Sequence, residues 1–196
     1  MVSALIVTHY YREREANITH IVELARPAVD MVVVASNNPP PPSLPGVAWL
    51  GSSANFGTRL RLFAALAHGV DVAVFVDDDV ALPPATIDML AATASECGVV
   101  GLWGAPGLLN GRACAATRGA ILRCVQLLPL LPTMWCDDIL LGCCGTELRK
   151  VVGDHELLSP CDRSLEYERQ GYVGDRRDTI AALLDAGLLS DWVEVA

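Results

Sequence analysis

The chain has 196 residues, of which 52% are hydrophobic and 19% are charged, and 23 acidic against 14 basic residues give a formal net charge of −9. This composition predicts a single globular domain over residues 1–196 and excludes a disordered chain or a coiled coil. A pI near 4.8 argues against nucleic acid as a partner, because phosphates are held mainly by Lys and Arg.

The sequence carries no recognisable targeting or membrane-spanning segment. The first predicted strand lacks the basic start of a signal peptide. The apolar stretch 121–131 is interrupted by polar residues and Pro129, and no apolar run reaches the ~20 residues of a membrane span. Seven cysteines, an odd number without a CxxC pair, argue against a disulfide framework. We therefore expect reduced thiols, a cytoplasmic location and no membrane span.

Hydrophobic runs alternate with helical segments, a pattern typical of an α/β fold in which helices flank a mostly parallel central sheet. The predicted strands are residues 4–8, 31–35, 47–50, 71–76 and 99–103. The predicted helices are residues 13–25, 59–68, 137–152 and 177–186, together with one that begins at Pro83-Pro84 and ends at 97. A further helix is predicted from 119 and is broken by the prolines of 129–132. The proline-rich segment 36–46 and the glycine-rich segment 104–118 are predicted to be irregular.

Three carboxylates, Asp77, Asp78 and Asp79, directly follow the clearest buried strand. In open α/β sheets, ligands bind at the carboxyl ends of strands. In an extended chain Asp77 and Asp79 point to the same side, which suits a divalent cation such as Mn²⁺ or Mg²⁺. An acidic surface turn is the alternative interpretation, although adjacent uncompensated carboxylates repel each other. A bound cation would also neutralise a diphosphate, which indicates a nucleotide or nucleotide-sugar ligand.

The loop after the first strand supplies groups that suit such a ligand. Thr8 offers a hydroxyl, Tyr10 and Tyr11 offer rings for stacking on a base, and Arg12 offers a cation for a phosphate. Packed tyrosines and a solvated Arg12 would also account for this loop. The sequence has neither GxxxxGK[ST] nor GxGxxG after the first strand, so a P-loop protein and a Rossmann dinucleotide-binding protein are excluded.

Several segments, in order along most of the chain, resemble the exostosin family of glycosyltransferases. They are Thr8 with Arg12, Ser36-Asn37-Asn38-Pro39, Asn55 with Arg61, the Asp triplet, Cys136-Asp137-Asp138 and Gly171-Tyr172-Val173-Gly174. The resemblance implies one domain of GT-A fold that transfers a sugar from a UDP-sugar with retention of configuration. It implies dependence on Mn²⁺ or Mg²⁺ and a hexosyl- or N-acetylhexosaminyltransferase activity toward a glycan or glycoside acceptor.

The resemblance also assigns binding residues. The positions that match nucleotide or donor contacts of the family are Thr8, Arg12, Asn37, Asn55 and Arg61. Asn37 matches the uridine contact, while Asn55 and Arg61 would hold ribose, phosphate or donor sugar. The triplet would bind ribose and metal, with Asp78 among the donor-binding residues and Asp77 and Asp79 as the metal ligands.

A second acidic pair, Asp137 and Asp138, begins a predicted helix. Carboxylates at a helix start cap it and interact with its dipole, effects worth about 1 kcal/mol together. The resemblance implies that the pair also faces the donor sugar and the acceptor, with Asp138 and Asp137 as catalytic residues. Arg177, or Arg176 in the alternative register, would stabilise the leaving diphosphate, whose charge grows as the glycosidic bond breaks. Solvated arginines are the alternative interpretation.

Other functions stay open at this point. An inverting GT-A enzyme like the family 2 glycosyltransferases would use an acid of the late pair as the general base. A catalytically inactive module that binds a nucleotide-sugar is the non-enzymatic alternative. A haloacid-dehalogenase phosphatase also has Asp-x-Asp after a strand, but that motif normally ends the first strand and continues with Thr or Val where Ala81 stands.

Overall fold

A computed structural model describes residues 3–9, 12–37, 44–54, 56–102, 108–133, 135–158 and 171–189. The strands are β1 (Ser3–His9), β2 (Met31–Ser36), β3 (Val47–Gly51), β4 (Val72–Asp77), β5 (Val80–Ala81), β6 (Gly98–Gly101), β7 (Ala113–Thr117), β8 (Glu147–Lys150) and β9 (Glu156–Leu157). The α-helices are α1 (Glu15–Ala25), α2 (Leu60–Ala67), α3 (Pro84–Cys97), α4 (Arg118–Leu127), α5 (Asp137–Gly142) and α6 (Tyr172–Asp185).

A seven-stranded sheet in the order β3-β2-β1-β4-β7-β6-β8 forms the centre of the described residues. Strands β3, β2, β1 and β4 are parallel to one another. β7 runs antiparallel to both β4 and β6, and β8 is parallel to β6. β5 and β9 form a separate antiparallel pair. The sheet is therefore mostly parallel, as predicted.

Helices cover both faces of the sheet, which explains the uninterrupted hydrophobic runs in its strands. Successive residues of a strand point to opposite faces. Leu5 and Val7 of β1 pack in the layer that contains α1 and α3, whereas Ile6 packs in the layer of α2, α4, α5 and α6. Among the helices that the structure describes, none is both long and apolar enough to traverse a bilayer.

Strand β7 lies in the segment that was predicted to be irregular, and this prediction is wrong for its five residues. The sequence of β7, Ala-Cys-Ala-Ala-Thr, has small side chains and only one β-branched residue, so its local strand signal is weak. Ala113, Cys114, Ala115 and Ala116 are fully buried because β7 is inserted between β4 and β6 and is hydrogen-bonded to both.

The prediction of one helix over 137–152 is also wrong, because α5 ends at Gly142 and the chain continues as β8. Glycines interrupt the helical pattern at positions where side chains do not fit. A Cβ on Gly145 would lie 2.8 Å from the backbone oxygen of Cys97, and a Cβ on Gly142 would lie 3.1 Å from the Cβ of Leu109. These close approaches let β8 turn back beside β6.

The topology brings the polar strand ends together at one edge of the sheet. Thr8 pairs with Asp77 across β1 and β4, and His9 pairs with Ser36 across β1 and β2. Since β7 is antiparallel to β4, β7 begins beside the carboxyl end of β4, and the segment before β7 therefore lies at the same edge of the sheet. The Asp77 N–H donates to the backbone oxygen of Arg112 at 3.0 Å. The loop that precedes β7 is therefore in contact with the acidic triplet.

Candidate functional site

The three carboxylates of the triplet, at the end of β4 and in the turn to β5, have different surroundings. Asp78 is buried, and its Oδ1 lies 2.5 Å from Nη1 of Arg14, which is also buried. Asn17 on α1 donates to the backbone oxygen of Asp78 at 3.0 Å. The fold thus places Asp78 in an internal ion pair with the segment that leads into α1.

Asp79 is approached by two guanidinium groups through one of its oxygens. Arg112 Nη2 lies 2.9 Å and Arg14 Nη1 lies 3.2 Å from Asp79 Oδ2. Asp79 Oδ1 is buried and accepts no hydrogen bond. The side chain of Asp77 is 29% exposed, and its Oδ1 lies 3.9 Å from Arg61 Nη1. Oδ1 of Asp79 is therefore an uncommitted oxygen, and Asp77 has the most exposed side chain of the triplet.

Asp77 and Asp79 fit a divalent cation that is held jointly by protein carboxylates and the phosphates of a ligand. Among the residues that the structure describes, no group of three His, Cys, Asp or Glu side chains is placed to hold a metal. Mg²⁺ is usually bound through one or two carboxylates together with substrate phosphates and not in an all-protein cage. The unpaired, buried Oδ1 of Asp79 supports such a shared site.

The second acidic pair is divided between the interior and the site. Asp137 is fully buried at the start of α5 and is held by Arg61, with Nε to Oδ2 and Nη2 to Oδ2 both at 3.1 Å. Thr58 donates its hydroxyl to the other oxygen of Asp137. Burial alone would lower the pKa of Arg61, but the neighbouring carboxylates, Asp137 first, raise it above its ordinary value. Asp137 and Arg61 form an internal ion pair.

Arg61 and Gly111 connect this pair to the triplet. Arg61 lies under the site, where its Nη1 donates to the backbone oxygen of Gly111 at 2.7 Å and its Nη1 also faces Asp77. The Gly111 N–H donates to Asp138 Oδ2 at 3.1 Å. A Cβ at position 111 would lie 2.5 Å from Arg61 Nη2 and 2.9 Å from Asp138 Cβ, so this close approach requires glycine.

Asp138 faces the helix α6 across the site. Arg176 Nη1 lies 3.1 Å from Asp138 Oδ2, and both side chains are mostly buried. No donor among the described residues reaches Asp138 Oδ1. Arg177 is exposed, because consecutive residues of a helix point in different directions. α6 begins at Tyr172, earlier than the predicted start near 177, and this places Arg176 in its second turn.

The residue before the pair is held in a strained conformation. Cys136 has φ of 66° and is, among the described residues, the one non-glycine with positive φ. Such a backbone costs an L-residue about 1–2 kcal/mol. Its thiol is free and buried, and burial raises the pKa of this thiol to about 12. Cys136 therefore supplies backbone geometry that directs the start of α5, and its thiol stays protonated at neutral pH.

The remaining predicted site residues are placed as follows. Thr8 is buried at the end of β1, and its Oγ1 has no hydrogen-bond partner. The amide of Asn37 bonds to the backbone on both sides, accepting from the Phe56 N–H at 3.0 Å and donating to the Gly57 oxygen at 3.1 Å. Asn55 and the side chain of Arg12 lie outside the described residues.

Three residues of this site were missed from the sequence: Arg14, Gly111 and Arg112. Arg14 follows the predicted nucleotide loop closely, but no pattern distinguishes it from a solvated helix-start arginine. The dipeptide Asn110-Gly111 is a turn signal and predicts a tight turn. Nothing in the local sequence indicates that this turn meets both acidic motifs, since that depends on the antiparallel insertion of β7.

No family model and no curated protein matches the sequence. Solved structures do match the fold. Residues 1–349 of S. aureus TarS in complex with UDP-GlcNAc give a TM-score of 0.66 at 13% identity, over 94% of this chain and 67% of that one. Glucosyl-3-phosphoglycerate synthase from Mycobacterium tuberculosis, in complex with Mn²⁺, UDP and phosphoglyceric acid, gives a TM-score of 0.62 at 17% identity. The match covers 96% of this chain and 80% of that one.

A further structure of S. aureus TarS also matches, with a TM-score of 0.62 at 14% identity, and the match covers 40% of that chain. The chain thus spans about two thirds of TarS 1–349 and less than half of this longer TarS chain. These structures are GT-A glycosyltransferases. The chain therefore has the GT-A fold, with a mostly parallel sheet flanked by helices, as its sequence predicts.

Proposed function

We propose that the chain transfers a sugar from a nucleotide-sugar to a hydroxyl of a glycan or glycoside acceptor. The observation that carries this proposal is the convergence of two acidic motifs at the carboxyl edge of a GT-A sheet. Asp77 at the end of β4 and Asp138 in α5 lie on either side of Arg61 and Gly111. Because the matching structures include complexes with UDP-GlcNAc and with UDP, a UDP-sugar is the proposed donor.

The donor diphosphate is proposed to bind beside Asp77 and Asp79, together with Mn²⁺ or Mg²⁺. The ion, when bound, offsets the charge of the carboxylates and the diphosphate and stabilises the leaving UDP. Thr8, which pairs with Asp77 in the sheet and has an unpartnered buried hydroxyl, is proposed to donate to the nucleotide. Asp78, Asp137 and Arg61 then act from the interior by positioning these groups.

Arg176 and Asp138 are the residues proposed to act on the transition state. Arg176 stabilises charge that grows on the departing diphosphate, and Asp138 stabilises the positive charge on the sugar. Arg176 is chosen over Arg177 because Arg176 lies 3.1 Å from Asp138 whereas Arg177 is exposed. Retention of configuration rests on the resemblance to the exostosins, and two routes lead to it. In one, the acceptor attacks on the face that UDP leaves, and the leaving phosphate accepts the acceptor proton. In the other, Asp138 displaces UDP to form a glycosyl-enzyme, and the acceptor hydroxyl then displaces Asp138 from the sugar.

Inversion is the alternative with an observation in its favour. No donor among the described residues reaches Asp138 Oδ1, and an oxygen without a donor is what a general base needs to accept a proton from an acceptor hydroxyl. In that case the enzyme would resemble the family 2 glycosyltransferases. The two mechanisms differ in the anomeric configuration of the product, which gives a direct test.

The stereochemical test uses α-linked UDP-sugars and NMR of the product. A panel of UDP-glucose, UDP-galactose and UDP-GlcNAc is incubated with Mn²⁺ and simple glycoside acceptors, and turnover is followed by UDP release. An α-linked product supports retention, and a β-linked product assigns the inverting mechanism. A chain that binds these donors but neither transfers nor hydrolyses them would be a binding module. A chain that binds none of them contradicts the proposed function.

The metal proposal is tested with a double variant, Asp77→Asn with Asp79→Asn. Calorimetry is expected to show loss of Mn²⁺-dependent UDP binding. The melting temperature is expected to fall by a few degrees with unfolding still cooperative, because Asp79 loses its ion pairs with Arg14 and Arg112 while Asp78 still pairs with Arg14. Asp88→Asn is the matched control, since Asp88 is exposed on α3. Unchanged UDP and Mn²⁺ affinity in the double variant, or full turnover of the wild type in excess EDTA, would contradict the metal assignment.

A further inference from the structure

Arg112 is a guanidinium at the proposed donor site for which the motifs give no role. Its Nη2 lies 2.9 Å from Asp79 Oδ2, and its side chain is 30% exposed. Arg14 approaches the same oxygen, but its side chain is only 5% exposed and is also bonded to Asp78. Of the two cations on Asp79, Arg112 is therefore the one that a ligand at the sheet edge can reach.

The backbone of Arg112 is fixed on both sides while its side chain extends into the site. Its N–H donates to Oδ1 of Asn110 at 3.0 Å, and its carbonyl oxygen accepts from the Asp77 N–H at 3.0 Å. The backbone of Arg112 is thus anchored beside the end of β4, and its guanidinium can turn from Asp79 toward a ligand without a change of the backbone. A guanidinium presents several N–H donors in a plane, a geometry that matches two oxygens of a phosphate.

We propose that Arg112 binds the diphosphate of the donor and that the ion pair with Asp79 holds the same guanidinium in place in the free protein. This inference rests on the proposed function and adds a residue to its donor site. Breaking a partly exposed ion pair costs little, whereas a charge-assisted, bidentate contact with a diphosphate is substantially stronger. Arg112 then distinguishes nucleoside diphosphates from the nucleoside, and its departure from Asp79 leaves that carboxylate to the cation.

The test compares Arg112→Gln and Arg112→Lys with the wild type by isothermal calorimetry. In saturating Mn²⁺, Arg112→Gln is expected to bind UDP about 10-fold more weakly, and uridine with unchanged affinity. Mn²⁺ titrated without nucleotide is expected to bind Arg112→Gln about 3-fold more tightly, because its competitor for Asp79 is gone. Arg112→Lys keeps the charge without the planar donors, so an intermediate UDP affinity is expected.

The opposite signs of these two changes separate ligand binding from a structural role, because a disturbed fold would weaken both UDP and Mn²⁺ binding. Arg149→Gln is the control, since it removes an exposed arginine on β8 that pairs with Glu96. Equal UDP affinity of Arg112→Gln and the wild type, or parallel losses of UDP and Mn²⁺ binding, would overturn the role of Arg112 but leave the proposed function standing. Absence of UDP binding by the wild type, with and without Mn²⁺, would overturn both the inference and the proposed function.

Discussion

Replacing Gly111 by alanine tests whether the contact between the two acidic motifs is required. The φ angle of Gly111 lies outside the left-handed region, so alanine fits the backbone and the effect comes from the added methyl group. That group would lie 2.5 Å from Arg61 Nη2 and 2.9 Å from Asp138 Cβ. Arg61 has no room to withdraw, because it is buried and bonded to Asp137. Asp138 is therefore expected to shift away from its position beside Arg176.

Overpacking of a buried site costs about 1–3 kcal/mol. For a chain of this size each kcal/mol lowers Tm by about 2–4 °C, so calorimetry is expected to show a fall of roughly 2–12 °C. Displacement of Asp138 is expected to lower kcat for sugar transfer about 10-fold or more, with a smaller change in KM for the donor. The control is Gly119→Ala in α4, where a Cβ meets nothing within 4 Å and alanine favours the helix. Wild-type Tm and kcat in Gly111→Ala would refute the reasoning.

Three further predictions concern the second acidic motif and α6. Arg176→Ala is expected to lower kcat more than Arg177→Ala in steady-state assays, and equal losses would contradict the role given to Arg176. Asp137→Asn is expected to lower the free energy of unfolding by about 3 kcal/mol, because buried Arg61 loses its nearest carboxylate and keeps only more distant ones such as Asp77. Urea unfolding at wild-type stability would show that this pair is not structural. Asp138→Asn is expected to lower kcat with little change in UDP affinity, the mark of a contact made mainly in the transition state. Calorimetry that finds an equal loss of UDP affinity would assign Asp138 to donor binding instead.

The sequence alone predicts much of this fold, because buried parallel strands require continuous apolar segments that are visible locally. The strands β1, β2, β3 and β4 and the helix α3 agree with their predicted bounds to within two residues. The position of the triplet at a sheet edge follows from the same pattern, since Asp77 directly ends β4. The sequence also predicts an acidic triplet at the end of one strand and a second acidic pair at the start of a helix, and the structure places them at the end of β4 and the start of α5.

Only the tertiary structure decided which member of each polar cluster reaches the site. The deciding partners lie far apart in the chain: Arg14 and Asp78 are separated by 64 positions, and Arg61 and Asp137 by 76. Asp137 and Asp138 are equivalent in a local pattern, yet Asp137 is buried against Arg61 whereas Asp138 contacts Arg176. Burial and ion pairing depend on the chain segments that arrive from elsewhere, here the loop before β7 and the helix α6. A local pattern contains no information about those segments.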